Sequence, residues 1–479
     1  MTRISYFFIS LLTLVLLGMS SCIDDNFSTS ATDVLEFSTD TVAFDTVITM
    51  QGTATKQFLV YNRGKKQLNI SSIHMAGEGR GHFYLNVDGQ KGTEFHNIEV
   101  RGGDSIFVFV ESYMDEALQD EPLEVSDLIV FETNGVTQHV TVTAWAQDVI
   151  RIKGDTLWTD TRFTADKPYL IYDTLLVAPG VTMTLDPGTT LLFHKGAALR
   201  CYGTMKAQGT VDEHITFRGD RLDHVVGEIG FDIMSGQWGG IIFGPGSVNN
   251  DLAFVDMRGS EIGMHVSSES PNQRSLHLLN CLLHNSSSSV LTTYNAWIEA
   301  EGTEFSNAAN GVVNFIGGRL NLVNCTFTNY YLFVAPSDPI VNFLKAVDEG
   351  GNEVLGVPTG YVDNCILYGM AQEINIGDLE GTGLYLRNCL MKLDGTDDEH
   401  FINMAWKADP KYYVNRDDYI FDFRLKNESD AIARGNRNYC PAHARYDRYG
   451  NDRWARDGID IGAYTWVPAP ETSEQDNDK

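Results

Sequence analysis

Between residues 252 and 391, apolar positions alternate with polar ones in short runs that break and restart at a recurring Asn-Cys pair. The clearest copies are Leu276-His-Leu-Leu-Asn280-Cys281-Leu-Leu283, Leu320-Asn-Leu-Val-Asn324-Cys325-Thr-Phe327, Tyr361-Val-Asp-Asn364-Cys365-Ile-Leu367 and Leu384-Tyr-Leu-Arg-Asn388-Cys389-Leu-Met391. Weaker copies end at Asp256 and Glu301, so the Asn-equivalent positions fall at intervals of 24, 21, 23, 40 and 24. A period near 23 residues marks a solenoid, and the interval of 40 is one coil plus an insertion. Leu276 and Leu278, Leu320 and Leu322, and Leu384 and Leu386 show strand spacing. After each Asn the phase slips by one residue, which would turn the second run outward unless the chain bends there. Asn tolerates the left-handed conformation that such a bend needs. The pattern therefore predicts strand, one-residue corner, strand: a parallel β-helix, with Asn280, Asn324, Asn364 and Asn388 stacked as an inward ladder.

Other stretches read differently. Residues 34–148 alternate in about seven short runs punctuated by Asn62-Arg-Gly64, Asp88-Gly89, Gly102-Gly103 and Asn134-Gly135, which predicts a β-sandwich. Residues 23–33 are polar and aperiodic, a flexible tether. The solenoid is expected over 149–392, interrupted by loops at 220–236 and 329–360. Residues 393–465, rich in Tyr, Trp, Arg and Asp, are expected to form end coils and a cap fixed by an Arg453–Asp460 pair. The tail, 466–479, reads as disordered.

The repeats resemble the right-handed parallel β-helix of pectin lyase-like proteins, in which inward Asn residues stack at this corner. Gln237-Trp-Gly-Gly-Ile-Ile-Phe243 is similar to a segment of many secreted bacterial members, and Leu175 through Phe217 resembles their opening coils. Residues 34–148 resemble immunoglobulin-like modules that sit beside anchored repeats, which usually serve as spacers or protein-contact units. Ser429-Asp-Ala-Ile, Tyr446 through Arg453 and Gly458 through Tyr464 resemble the end module of choice-of-anchor β-helix proteins. The resemblance is specific for an all-β fold and weak for function, because this fold hosts lyases, hydrolases, adhesins and scaffolds.

Charge and targeting narrow the setting. The chain has 479 residues, with 35 Lys and Arg against 64 Asp and Glu, a formal charge of −29. That excess argues against nucleic acid as a partner. Residues 1–22 run from Arg3 through an apolar stretch to Gly18-Met-Ser-Ser-Cys22, which resembles a bacterial lipoprotein signal with Cys22 as the acylated residue. The implied anchor is acyl chains in the membrane rather than a spanning segment. Asp24-Asp25 resembles signals that place lipoproteins on the outer face of the outer membrane. Of seven cysteines, Cys281, Cys325, Cys365 and Cys389 share one coil position, where buried free thiols suit the interior better than disulfides.

Catalytic motifs are sparse. The paired Asp and Gly-His-Gly of polygalacturonases are absent, as are a pectate lyase calcium set, Gly-x-Ser-x-Gly and a phosphate cradle. Asp397-Asp-Glu-His400 reads as a solvated turn. Sugars bind by stacking C–H faces on exposed rings, so Tyr330, Tyr331, Trp406, Tyr412 and Tyr413 are the candidate carbohydrate contacts. Asp348, Glu349, Asn352 and Glu353 form the oxygen-rich turn that could take Ca²⁺. The resulting expectation is an envelope lipoprotein whose non-catalytic β-helix binds a polysaccharide or other surface polymer. A lyase or hydrolase with an unrecognised site is the alternative, and an adhesive scaffold is the third reading.

Overall fold

A computed structural model describes residues 26–77, 82–226, 229–376 and 379–469. The expected targeting segment with Cys22, and the tail from residue 470, lie outside the described residues. The chain divides into two units at Asp148/Val149.

The first unit is a sandwich of two five-stranded sheets, more strands than the seven expected. Lys56–Tyr61, Ser105–Ser112 and Phe83–Val87 centre one sheet, and Leu123–Thr133 and Val136–Gln147 centre the other. Alternation is strict, as in Ser105–Ser112, so Ile106, Val108 and Val110 point to the same buried face. The punctuation works as turn chemistry predicts. Asn134-Gly135 and Asp88-Gly89 both take positive φ, the requirement of a two-residue hairpin turn. Residues 26–33 are not a free tether. Phe27 bridges Gln67, and the Asn134 amide donates to Ser30 and Asp33 carbonyls at 3.1 Å each.

The second unit is a parallel β-helix of three long sheets with 10, 9 and 10 strands, in which every neighbouring pair is parallel. Each coil contributes one strand to sheet I, one to sheet II and one to sheet III in turn; Leu282–Ser286, Leu291–Tyr294 and Trp297–Glu301 are one such set. The lumen is filled by aligned apolar side chains. Leu276, Ile298 and Leu320 stack in one column that continues through Gly360 to Leu384, and Phe305 and Phe327 stack in another with centroids 4.9 Å apart. Trp238 lies flat on Phe193 at 4.1 Å and donates its indole N–H to the Arg258 carbonyl. All six described cysteines are free and buried. Burial pushes the Cys281 thiol up to about 12, so it stays protonated and serves as a small apolar group.

The bend between sheets III and I is the predicted one-residue corner. Strand register puts Phe254, Asn280, Gly302, Asn324, Asn364, Asn388 and Asn403 at equivalent positions, and all seven have φ between 50° and 59°. Phe254 and Gly302, not Asp256 and Glu301, are therefore the counterparts in the weaker copies. The Asn side chains do not form an inward ladder. Among the described residues they share one amide-to-amide hydrogen bond, Asn364 to Asn324 at 3.4 Å, and their other side-chain bonds are to the C-terminal segment. A linked amide row does occur elsewhere, on the outer face of sheet II. Asn342 donates to Asn314 at 3.0 Å, and Asn314 reaches Thr292.

The C-terminal segment is only partly a cap. Phe401, Met404 and Trp406 pack against the last lumenal side chains and close the stack. The hairpin of Tyr412–Asn415 and Ile420–Leu425 then lies on the outer face of sheet I, against Ile366 and Leu390. Residues 434–464 form a strap that runs back along the corner. Asn388 donates to Arg434 O, Asn364 to Asn436 O, Asn324 to Asp460 O and Asn280 to Tyr446 O, at 2.9 to 3.3 Å. Arg453 and Asp460 do not pair. Asp460 is bonded by Arg456, and Arg453 donates to the carbonyls of Ala444, Gly462 and Ala463.

The described residues of the two expected loops have definite structure. Residues 220–236 hold the short strands His224–Val226 and Ile229–Gly230 and a turn, Phe231–Ile233, that accepts hydrogen bonds from Gln237 and Asn285. The stretch 329–360 is a true coil whose sheet II strand, Val341–Leu344, is flanked by two excursions.

Candidate functional site

Neighbouring strands of sheet I direct chemistry-bearing side chains outward at matched heights. Register aligns Arg258, His284, Ser306 and Thr328 in one row, and Asp256, Leu282, Glu304 and Thr326 in the next. Strand spacing of ~4.8 Å makes each row nearly continuous. Arg258, Leu282, His284 and Glu304 line a cleft of about 350 Å³, whose other walls come from the 229–233 turn, with Asp232 and Ile233, and from Asp418, Tyr419 and Phe421 of the C-terminal hairpin.

The electrostatics of this cleft follow from burial. Desolvation pushes His284 down to about 3, helped by the Arg258 charge, so its imidazole is neutral. Desolvation also raises the Glu304 carboxyl, against hydrogen bonds from Ser306 and Tyr464 and the charges of Arg448 and Arg258. Ser306 gives its one proton to Glu304, so it accepts from His284 Nδ1–H at 2.7 Å and Nε2 carries the lone pair. The 3.9 Å between His284 and Glu304 is therefore not an ion pair. Both Glu304 oxygens are engaged, one by Ser306 and one by Tyr464. The residue is 3% exposed, so little of the carboxyl is open to a molecule in the cleft.

A second concavity of about 760 Å³ lies at the C-terminal hairpin, within the size range of ligand sites. Its walls carry the rings of Tyr413 and Tyr449, the cations Arg424 and Lys426, and Asn415 and Asn451. Arg424 is paired with Asp422. Lys426 stands 5.2 Å above the Tyr413 ring and has no ion pair among the described residues.

The sequence-predicted aromatics separate here. Tyr413 alone lines the groove. Tyr330 packs on Phe423, Tyr331 is buried with its hydroxyl on Ser235, and Tyr412 is buried edge-on against Phe423. Trp406 plugs the end of the stack and donates to Asp397. Tyr331 and Tyr412 are buried, and Tyr330 and Trp406 are half-buried with a ring or end contact each, so none of the four lines the groove. The groove's other ring, Tyr449, was missed because it falls in a segment read as cap.

Asp348, Glu349, Asn352 and Glu353 sit at the exposed tip of a hairpin formed by Ala346–Val347 and Glu353–Leu355. Asp348 Oδ1 accepts from the Gly350 and Asn352 backbone and from the Asn352 amide, and Glu353 faces Lys345. The turn uses these oxygens to close itself, so they do not gather into the Ca²⁺ cage that was expected. Asp397 and Asp398 likewise bond the backbone of 400–404, which shapes the last coil.

No family model matches the chain, and no curated protein matches it. Among solved structures, a protein of unknown function from Porphyromonas gingivalis W83 aligns at 15% identity and TM-score 0.18, covering 23% of this chain and 46% of that one. The chain thus spans under half of that protein's length. A PapD-like domain of human CEP192 aligns at 9% identity and TM-score 0.18, covering 24% of this chain and 87% of that domain. Neither likeness extends to the architecture as a whole.

Proposed function

We propose that this chain is an outer-membrane lipoprotein, anchored through Cys22 and facing the exterior, that binds a polysaccharide without cleaving it. We take its solenoid to be of the right-handed pectin lyase-like kind, a reading supported by the left-handed corner between sheets III and I. The observation that carries the binding function is the groove at the C-terminal hairpin. Two tyrosine rings there can stack on pyranose faces, and an uncompensated lysine beside them suits a carboxylated or sulfated sugar. Although the whole chain carries −29, that field is screened beyond ~8 Å at physiological salt. The local cations therefore govern contact.

The enzyme alternative finds its best support in the cleft holding Arg258, His284 and Glu304. It is the weaker reading, because Glu304, the cleft's acid with a raised pKa, is almost fully buried and bonded at both oxygens. A glycan array probed with the chain lacking residues 1–22 tests the proposal. Acidic glycans should bind, and Tyr413→Ala and Lys426→Ala should each weaken binding by about tenfold. A silent array, or variants that bind as well as the parent, overturns it. Shortened or unsaturated products from a bound glycan would establish the enzyme reading instead. Labelling of intact cells with palmitate, lost in Cys22→Ala, tests the anchor.

A further inference from the structure

Beneath the strap, on the outer face of sheet III, three potential ligands converge from separate parts of the chain. His277 lies on Arg274–Leu279, Glu301 ends the adjacent strand Trp297–Glu301, and His443 lies in the strap turn Ala442–Ala444. One ligand atom from each lies within 4.8 Å of the others. His277 Nε2 is 2.7 Å from Glu301 Oε2, and His443 Nε2 is 3.7 Å from Glu301 Oε1.

We propose that His277 Nε2, the Glu301 carboxylate and His443 Nε2 bind one divalent transition-metal ion of the zinc class, which staples the strap to the coils. This inference is independent of the polysaccharide reading.

The donor set is two imidazoles and a carboxylate, the protein contribution to open tetrahedral zinc sites. With bonds of ~2.0–2.1 Å, tetrahedral ligand atoms sit ~3.3 Å apart. The observed separations straddle that value: the 3.7 Å gap closes by movement of His443, whose side chain is 55% exposed, and the 2.7 Å contact opens by a small rotation of the Glu301 carboxylate. The other two ligands are held on paired strands, and Glu301 is 3% exposed. His277 also has the orienting partner that metal-bound histidines ordinarily show. Asp251 Oδ1 accepts from Nδ1 at 2.7 Å, which fixes the tautomer and turns Nε2 toward Glu301. The fourth position falls on the exposed side, where His443 meets solvent, and water completes it.

The same three groups could instead simply hold a protonated imidazole between Asp251 and Glu301, and the experiment separates the two. The full chain is stripped with chelator and titrated calorimetrically with ZnCl₂, then with CoCl₂ while its visible absorption is followed. The expected result is one ion per chain, a tetrahedral cobalt spectrum and a rise in Tm on adding zinc. His443→Ala should abolish all three, and because this side chain is exposed the variant should keep the parent's circular dichroism. Asp251→Asn should weaken zinc binding by roughly 10–100-fold. No binding at stoichiometric zinc, or binding that survives His443→Ala, overturns the proposal.

Discussion

At the scale of single residues, the corner decides the architecture. What the seven corner positions share is backbone geometry rather than a side chain, since Phe254 and Gly302 adopt it beside five asparagines. Asn was legible because its tolerance of positive φ makes it frequent there; Phe254 was not, because nothing about Phe announces a left-handed backbone. Asn324 does two jobs, holding φ at 50° and donating to Asp460 O at 2.9 Å. Asn324→Gly should cost about 1 kcal/mol for the hydrogen bond, and Asn324→Ala ~2–3 kcal/mol once backbone strain is added. Urea titration of the pair checks that order, and equal losses would refute the two-part account. Gly302→Ala should also destabilise, because its methyl would fall 2.2 Å from Asn280 Oδ1. His284 gives a pH signature. Its folded value is about 3, whereas the unfolded imidazole titrates near 6.5, so the unfolded state binds the extra proton. Stability is therefore complete above ~6.5 and falls toward pH 3 by up to ~1.4 kcal/mol per unit. In His284→Gln, Tm between pH 6.5 and 4 should be flatter than in the parent.

At the scale of elements, the strap is the feature the sequence concealed. The resemblance to a choice-of-anchor end module suggests a cap fixed by an Arg453–Asp460 pair. The structure instead spends Arg453 on three carbonyls and joins Arg448 to Asp256, 192 residues away. No local pattern encodes a partner at that distance. Arg448 is 4% exposed in its side chain, and Nε and Nη1 have no hydrogen-bond partner among the described residues. Burial would raise Asp256, but hydrogen bonding to His214 and the charges of Arg448 and Arg258 outweigh it and bring Asp256 down to about 2. Because the folded value is depressed from 3.8, this stabilisation is present above pH ~4 and lost as pH falls through ~2. Arg448→Met should cost ~3–5 kcal/mol at pH 7, since it leaves the largely buried Asp256 without its direct ion-pair partner. Adding Asp256→Asn should recover part of that loss; a double variant no better than Arg448→Met alone would show that packing rather than charge holds the strap.

At the scale of the whole chain, the two units differ in how cooperativity arises. Each has its own sheets and its own apolar core. The sandwich closes that core with strands paired across long sequence separations, which favours one all-or-none transition. A bare solenoid couples only adjacent coils and unfolds by fraying from its ends. Here the strap bonds to corners from Asn388 down to Asn280 and on to Asp256, so coils far apart in the stack share one element. It should convert a fraying stack into a single cooperative block. Scanning calorimetry of the chain lacking residues 1–22 should show two transitions, and residues 26–148 produced alone should reproduce one of them. The other should be sharp in the parent and both lower and broader in Arg448→Met. A β-helix transition that keeps its width when the strap is loosened would mean that the lumenal stacks alone set its cooperativity, with the strap merely a passenger on the corner.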